Sequence, residues 1–169
     1  ANGHLEKGEK PVHWCMDCGS ALAEAEVEYQ DKVSHSIDVK FSVTPEDLSS
    51  ASSAFNAKPI PDLSMVIWTT TPWTIPSNVA VCVNENQRWG MELKVLGRTK
   101  GNSLANLSLQ HPLYQRESKV LLGDHVTTEN GTGCVHTAPA HGLDDYFICI
   151  KHKLESIKAL DNRGIFKEE

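Results

Sequence analysis

Leu63-Ser64-Met65-Val66-Ile67-Trp68 runs without a gap into Thr69-Thr70-Thr71-Pro72-Trp73-Thr74-Ile75-Pro76-Ser77-Asn78 and then into Val79-Ala80-Val81-Cys82-Val83. This stretch decides how the chain is built. The first segment, apolar and rich in residues that favour extended backbone, reads as a buried strand. Pro72 and Pro76 then stop a regular ladder and hold four threonine hydroxyls and the Asn78 carboxamide on turning backbone. Val79–Val83 resumes a strand. A row of threonines alone could be a mere β-propensity run, but the Pro-Trp-Thr-x-Pro-x-Asn that follows makes the loop more specific.

A second punctuated stretch lies further on, Gly131-Thr132-Gly133-Cys134-Val135-His136-Thr137-Ala138-Pro139-Ala140-His141-Gly142-Leu143-Asp144-Asp145-Tyr146. A glycine-flanked turn leads into a short apolar piece and then into Pro139 and Gly142, so two imidazoles and two carboxylates sit on irregular backbone, where chemistry tends to be carried. Asp144 and Asp145 also precede Tyr146–Ile150, a plausible helix start, where a carboxylate caps free N–H groups and faces the positive end of the dipole. Capping suits Asp144 best, whereas Asp145 is free to point elsewhere. His125 and His141 could be ligands or bases, although a lone histidine is more often a surface or hydrogen-bonded core residue.

Outward from these two stretches, the pattern is of short strands. Ala23, Ala25, Val27 and Tyr29 alternate with Glu24, Glu26 and Glu28, which favours a half-buried strand. Ser36–Val43 alternates more cleanly and should be its neighbour. Thr44–Leu63, with its serine run and two prolines, reads as a surface excursion. Met91–Gly97 and Ser118–Leu122 are further strands. Many strands, few helices and frequent turns describe an antiparallel, barrel-like domain.

Composition narrows the function classes. The chain has 169 residues, 40% of them hydrophobic, and a net charge of −6. It can bury a real core as one globular domain, while its acidic balance opposes strong unaided binding to nucleic acid. No run approaches a membrane span, and the polar start is no signal peptide, so a soluble, cytoplasmic protein is expected. Five cysteines without regular spacing argue against a secreted disulfide framework. Cys15-x-x-Cys18 supplies two thiolates of a tetrahedral zinc site, half of what such a site needs. Cys82, Cys134 and Cys149 sit in apolar surroundings and read as small buried residues. A redox dithiol at Cys15 and Cys18 is the alternative, but no βαβ pattern surrounds it.

Taken together, Trp68–Thr74 with Asn78, Gly131–Gly142 with Asp144-Asp145-Tyr146, and Trp14-Cys15-x-x-Cys18 leading to Ala21–Tyr29 resemble the editing insertion of bacterial-type isoleucyl-tRNA synthetases across nearly the whole chain. Thr71 and Trp73 stand where the related valyl and leucyl enzymes typically have Arg and an acidic residue, which favours the isoleucyl branch over the valyl one. The resemblance implies a mainly β fold, a closed six-stranded antiparallel-type β-barrel with peripheral helices. It divides the chain into an edge with the half zinc knuckle and a connecting strand (1–30) and the editing barrel (31–169). A segment that the family has is expected to be missing near residues 84–88. The His-Ile-Gly-His and Lys-Met-Ser-Lys-Ser signatures of the ATP-using core are absent from this sequence, so this piece is not expected to activate amino acids.

The resemblance further implies an ester hydrolase acting on valine misattached to tRNA(Ile). Isoleucine and valine differ by one methylene, worth roughly 1–3 kcal/mol of discrimination, a limit for which this enzyme class is itself the standard illustration. A second sieve is therefore needed. Family matching assigns catalysis to Thr70, His136 and Asp145, with Asp145 holding the substrate ammonium and His136 orienting the substrate and limiting its size. Thr69, Thr71, Trp73, Thr74, Asn78 and Ala138 match substrate-binding positions. No cofactor is expected for editing, and zinc only in the full-length protein. The expected partners are the 3′ end of tRNA(Ile) carrying valine and the remainder of the synthetase, with the isolated domain monomeric. A rival from another class is a non-catalytic RNA-contacting module around Cys15 and Cys18, which would need basic, aromatic-rich strands.

Because two thiolates fill half a tetrahedron, metal analysis of the purified chain is expected to find no zinc held by four of its own side chains. A zinc ion with four ligands from this one chain would contradict the half-site.

Overall fold

Val81 and Val83 face one apolar cluster while Ala80 and Cys82 face another, so the strand Ala80–Val83 is buried on both sides. That is why Val79–Val83 is apolar throughout rather than alternating. In the computed structural model, which describes residues 8–86, 97–127, 129 and 131–168, this strand lies deep in a six-stranded sheet. The strands are β1 (Trp14–Cys15), β2 (Ser20–Ala21), β3 (Ile37–Val43), β4 (Ser64–Thr69), β5 (Ala80–Val83), β6 (Ser108–Gln110), β7 (Glu117–Leu122) and β8 (Val135–Thr137). β1 and β2 form a separate hairpin, and the main sheet has the order β4-β3-β6-β7-β5-β8. Its outer strands, β4 and β8, approach each other to within 8 Å between Cα atoms, which nearly closes the barrel.

The sheet is mixed. Every described pairing is antiparallel except β5 with β7, where Ala80 stands opposite Lys119 and Val83 opposite Leu122. A parallel neighbour requires a long crossover, and the chain from Asn84 to Arg116, including β6, supplies it. The expected barrel is thus present with one parallel joint. Phe41, Ile67, Val81, Leu109 and Val120 fill its interior. Outside β5 and β7, a second cluster of Val79, Cys82, Leu121 and Val126 is covered by Cys149 of helix α2 (Leu143–Lys151).

Several expectations need correction. Ala21–Tyr29 is not a strand beyond Ala21: residues 24–26 form a 3-10 turn, and the Ala23 N–H donates to the Glu26 Oε2 at 2.7 Å. The alternation there has no sheet to join, and Tyr29 is 82% exposed. β3 therefore pairs with β4 and β6 instead. The excursion Thr44–Leu63 holds a helix, α1 (Leu48–Ala54), which buries Ala51 and Ser52. The Met91–Gly97 strand lies outside the described residues up to position 96, and so does the part of the expected junction at 87–88.

Among the described residues no helix is long and apolar enough to cross a membrane. The two flanks of the 87–96 stretch meet: the Asn102 N–H donates to the Glu85 carbonyl at 3.2 Å, and Gly101 lies against Asn84. A Cβ at Gly101 would sit 2.0 Å from the Asn84 carbonyl oxygen. Gly101→Ala is accordingly expected to lower stability by at least the roughly 1–3 kcal/mol of an overpacked site, read from the urea midpoint. An unchanged midpoint would show that the two segments separate freely.

Candidate functional site

Beyond β4 the chain turns at Thr71 into a 3-10 helix, Pro72–Ser77, and re-enters the sheet at β5. Proline at the start fixes φ and forgoes a donor that would be unpaired anyway. The threonines bind one another around this turn. The Thr69 Oγ1 accepts from the Thr71 N–H at 3.1 Å, and the Thr74 hydroxyl donates to the Thr71 carbonyl at 2.8 Å. The hydroxyls of Thr69 and Thr71 lie 3.3 Å apart. From behind, the turn is held by His111 and Arg116. His111 Nδ1 accepts from the Leu113 and Tyr114 N–H groups, so its Nε2–H donates to the Ile75 carbonyl at 3.0 Å. The Arg116 guanidinium donates to the carbonyls of Pro76 and Asn78.

Opposite this turn runs β8, whose pairing with β5 sets His136 across from Val81. His136 Nε2 lies 2.7 Å from the Thr74 hydroxyl, and its Nδ1 lies 3.2 Å from the Asn78 amide nitrogen. Helix α2 follows. Its N-cap is Gly142, with no side-chain cap, so Asp144 is not the cap expected of it and stands exposed in the first turn. Asp145 points back toward the barrel, where its Oδ2 accepts from the Ala138 N–H at 2.9 Å. No described residue hydrogen-bonds its Oδ1.

These pieces enclose a cleft of about 470 Å³. Thr69, Thr70, Thr71, Trp73, Thr74, His136, Ala138 and Asp145 all line it, and the half-exposed indoles of Trp68 and Trp73 contribute to its walls. Asn78 does not line it. It is fully buried behind His136, with its Oδ1 accepting from the Ser118 hydroxyl at 2.5 Å. Cys15 and Cys18 are also absent from the cleft lining. The Cys18 N–H donates to the Cys15 sulfur at 3.3 Å, which leads the effects that lower the Cys15 pKa. Among the described residues no group of three or more His, Cys, Asp or Glu side chains could hold a metal ion.

The sequence reading did not single out Thr127, Thr132, Cys134 and Val135 as lining residues. Their signal was present in the glycine-punctuated turn before β8. Gly131, at φ +69°, packs so closely on Trp68 that a Cβ would meet the indole at 3.1 Å. His125 and His141 also line the cleft, and His141 Nε2 lies 3.1 Å from the Ser77 hydroxyl.

Electrostatically the cleft is neutral on one side and acidic on the other. Burial pushes the His136 pKa down to about 4, with His141 and His111 reinforcing the shift. Burial likewise pushes His111 down to about 4. Asp145 is moved the other way, raised by burial against the lowering effect of its Ala138 N–H bond.

The fold is a nearly closed, mixed six-stranded barrel with a threonine-lined cleft, and sequence comparison places the chain among the class I tRNA synthetases. A family model described as tRNA synthetases class I (I, L, M and V) matches residues 1–159. The chain belongs to this family. It is 49% identical to the isoleucine--tRNA ligase of Chromobacterium violaceum, covering 98% of this chain and 20% of that protein. The corresponding ligase of Pasteurella multocida is 46% identical, with 99% and 21% covered. The chain thus spans about a fifth of the length of the curated relatives it matches. Those alignments extend over 191 and 193 positions, more than the 169 residues here, so the relatives carry residues with no counterpart in this chain. The crystal structure of GlLeuRS-CP1 shares the fold, with a TM-score of 0.57 at 17% identity over 72% of this chain and 65% of that one.

The depressed pKa values of His111 and His136 make a pH prediction. In the unfolded chain each takes a proton near pH 6.5, while in the fold each resists it until about pH 4. Their contribution to stability is therefore complete above about 6.5 and lost as pH falls toward 4. With each pKa unit worth about 1.4 kcal/mol, the urea midpoint is expected to fall steeply across that window, and His136→Gln to flatten part of the fall. A midpoint level from pH 7 to 4.5 would contradict the burial of these rings.

Proposed function

We propose that this cleft hydrolyses the ester joining valine to the 3′-terminal adenosine of tRNA(Ile), as the editing part of an isoleucyl-tRNA synthetase. The observation that carries the reading is the convergence on one cleft of the threonine hydroxyls, a neutral imidazole and a carboxylate oxygen that no described residue hydrogen-bonds. An aminoacyl ester presents an ammonium beside its scissile carbonyl. Asp145, held by the Ala138 N–H through one oxygen, keeps the other for a charge-assisted hydrogen bond to that ammonium. A carboxylate that burial already penalises gains from such a partner.

The opposite wall treats the ester and the water. Thr70 is exposed at the cleft, and the hydroxyls of Thr69, Thr71 and Thr74 offer further donors and acceptors beside it. No serine or cysteine nucleophile is needed, because a water oriented by these groups and by the ribose hydroxyl can attack directly. His136 and the threonine turn set the size limit: valine fits, and one more methylene meets a wall braced by His111 and Arg116. The similarity to isoleucine--tRNA ligases supports the choice of tRNA, and the rest of the synthetase is the part that would hold most of it. Zinc, if Cys15 and Cys18 hold it, takes its other ligands from outside this chain and lies apart from the chemistry.

The test is valine release from valyl-tRNA(Ile), with isoleucyl-tRNA(Ile) as the ester to be spared. Asp145→Asn keeps the shape and loses the charge, and should slow release about 10- to 150-fold, the equivalent of roughly 1.5–3 kcal/mol for a hydrogen bond to a charged group. N-acetylvalyl-tRNA should be an equally poor substrate for the unaltered chain. Asp144→Ala should leave release near normal. His136→Ala should let isoleucyl-tRNA be cleaved, because it opens the cleft. Near-normal release by Asp145→Asn, or equal cleavage of the acetylated ester, would remove the ammonium anchor and with it this reading.

A further inference from the structure

Asn78 reaches the cleft lining through His136, and the polarity of its hydrogen bonds can be worked out atom by atom. The Ala80 carbonyl, a group that only accepts, lies 2.8 Å from Asn78 Nδ2, which identifies that atom as nitrogen rather than oxygen. Its second N–H is then directed to His136 Nδ1 at 3.2 Å, and that ring nitrogen must accept. The Asn78 Oδ1 is satisfied separately by the Ser118 hydroxyl at 2.5 Å. Asn78 and Ser118 are both wholly buried, so neither can turn to water instead.

The other side of the ring accommodates the same answer. With Nδ1 accepting from Asn78, the neutral ring carries its hydrogen on Nε2, which points at the Thr74 oxygen at 2.7 Å. The Thr74 hydroxyl then turns its one proton to the Thr71 carbonyl at 2.8 Å, so every group in the chain is satisfied. The Asn78 contact thus selects one neutral tautomer, protonated on Nε2 and bare on Nδ1.

We infer that Asn78, held in one orientation by the Ala80 carbonyl and the Ser118 hydroxyl, is a positioning residue that fixes His136 as its Nε2–H tautomer. The inference rests on the proposed editing reaction only for its consequence. Both ring nitrogens are spent inside the protein, so His136 has no lone pair with which to take a proton from water. It acts as a fixed, neutral wall that also aims the Thr74 and Thr71 oxygens. The base of the reaction then lies elsewhere, in the solvent or on the substrate's own ribose.

The experiment is ¹⁵N NMR of the His136 ring in the whole chain at pH 7, read alongside valine release from valyl-tRNA(Ile). The unaltered chain is expected to show a proton on Nε2 alone. Asn78→Asp replaces the donating N–H with an acceptor, so the proton should move to Nδ1, or a second one should appear there, and release should fall about 100-fold. Should that variant not fold, Ser118→Ala leaves the amide oxygen without its donor, and His136 is expected to show both tautomers. A proton on Nδ1 in the unaltered chain, or one that stays on Nε2 alone in both variants, overturns the inference. If the tautomer moves as described while the unaltered chain releases no valine, the positioning inference stands and the editing reading fails.

Discussion

One buried carboxamide ties the molecule together. Asn78 ends the 3-10 turn of threonines, starts the approach to β5, receives a hydrogen bond from β7 through Ser118 and reaches β8 through His136. A polar group taken wholly out of water must satisfy each of its donors and acceptors or forfeit on the order of 1–3 kcal/mol for each one left. That requirement fixes the relative placement of the threonine turn, β5, β7 and β8, of which the turn and β8 line the cleft. The parallel joint between β5 and β7 is part of the same arrangement, because it brings Ser118 beneath Asn78 rather than leaving it at a sheet edge.

The two sides of the cleft are built on different physics. The threonine wall is rigid because backbone carbonyls at Ile75, Pro76 and Asn78 are held from behind by His111 and Arg116. On the α2 side, Cys149 packs on Val79 and Cys82, and a charge-assisted bond from the Ala138 N–H holds Asp145. The first arrangement suits the exclusion of a side chain that is one methylene too large. The second leaves a carboxylate oxygen without a partner among the described residues, which suits the capture of a cation.

Much of this was legible in the sequence where the signal was local. Alternation marked β3, the apolar runs marked β4, β5 and β7, and the prolines marked the turn at Thr71. Of the residues matched to catalysis or substrate binding, all but Asn78 line one cleft, because the two punctuated stretches lie on adjoining parts of the barrel. What depends on distant partners was not legible. Ala23–Tyr29 alternates as well as a real strand, yet no sheet edge meets it. β6 and β8 are three residues long, too short for a period to be read. Ser118 looks like an ordinary strand serine until the fold sets Asn78 beside it, and Asp144 looks like a helix cap until Gly142 is seen to take that place.

The central claim is that the cleft between the threonine turn and α2 receives the aminoacyl end of a tRNA, amino group toward Asp145. It is tested most directly by a crystal structure of this chain with a non-hydrolysable amide analogue of valyl-adenosine. The analogue is expected in the cleft, its ammonium about 3 Å from the Asp145 Oδ1 and its isopropyl group against His136 and Thr71. An analogue bound elsewhere, or bound here with its amino group turned to solvent, would contradict the claim.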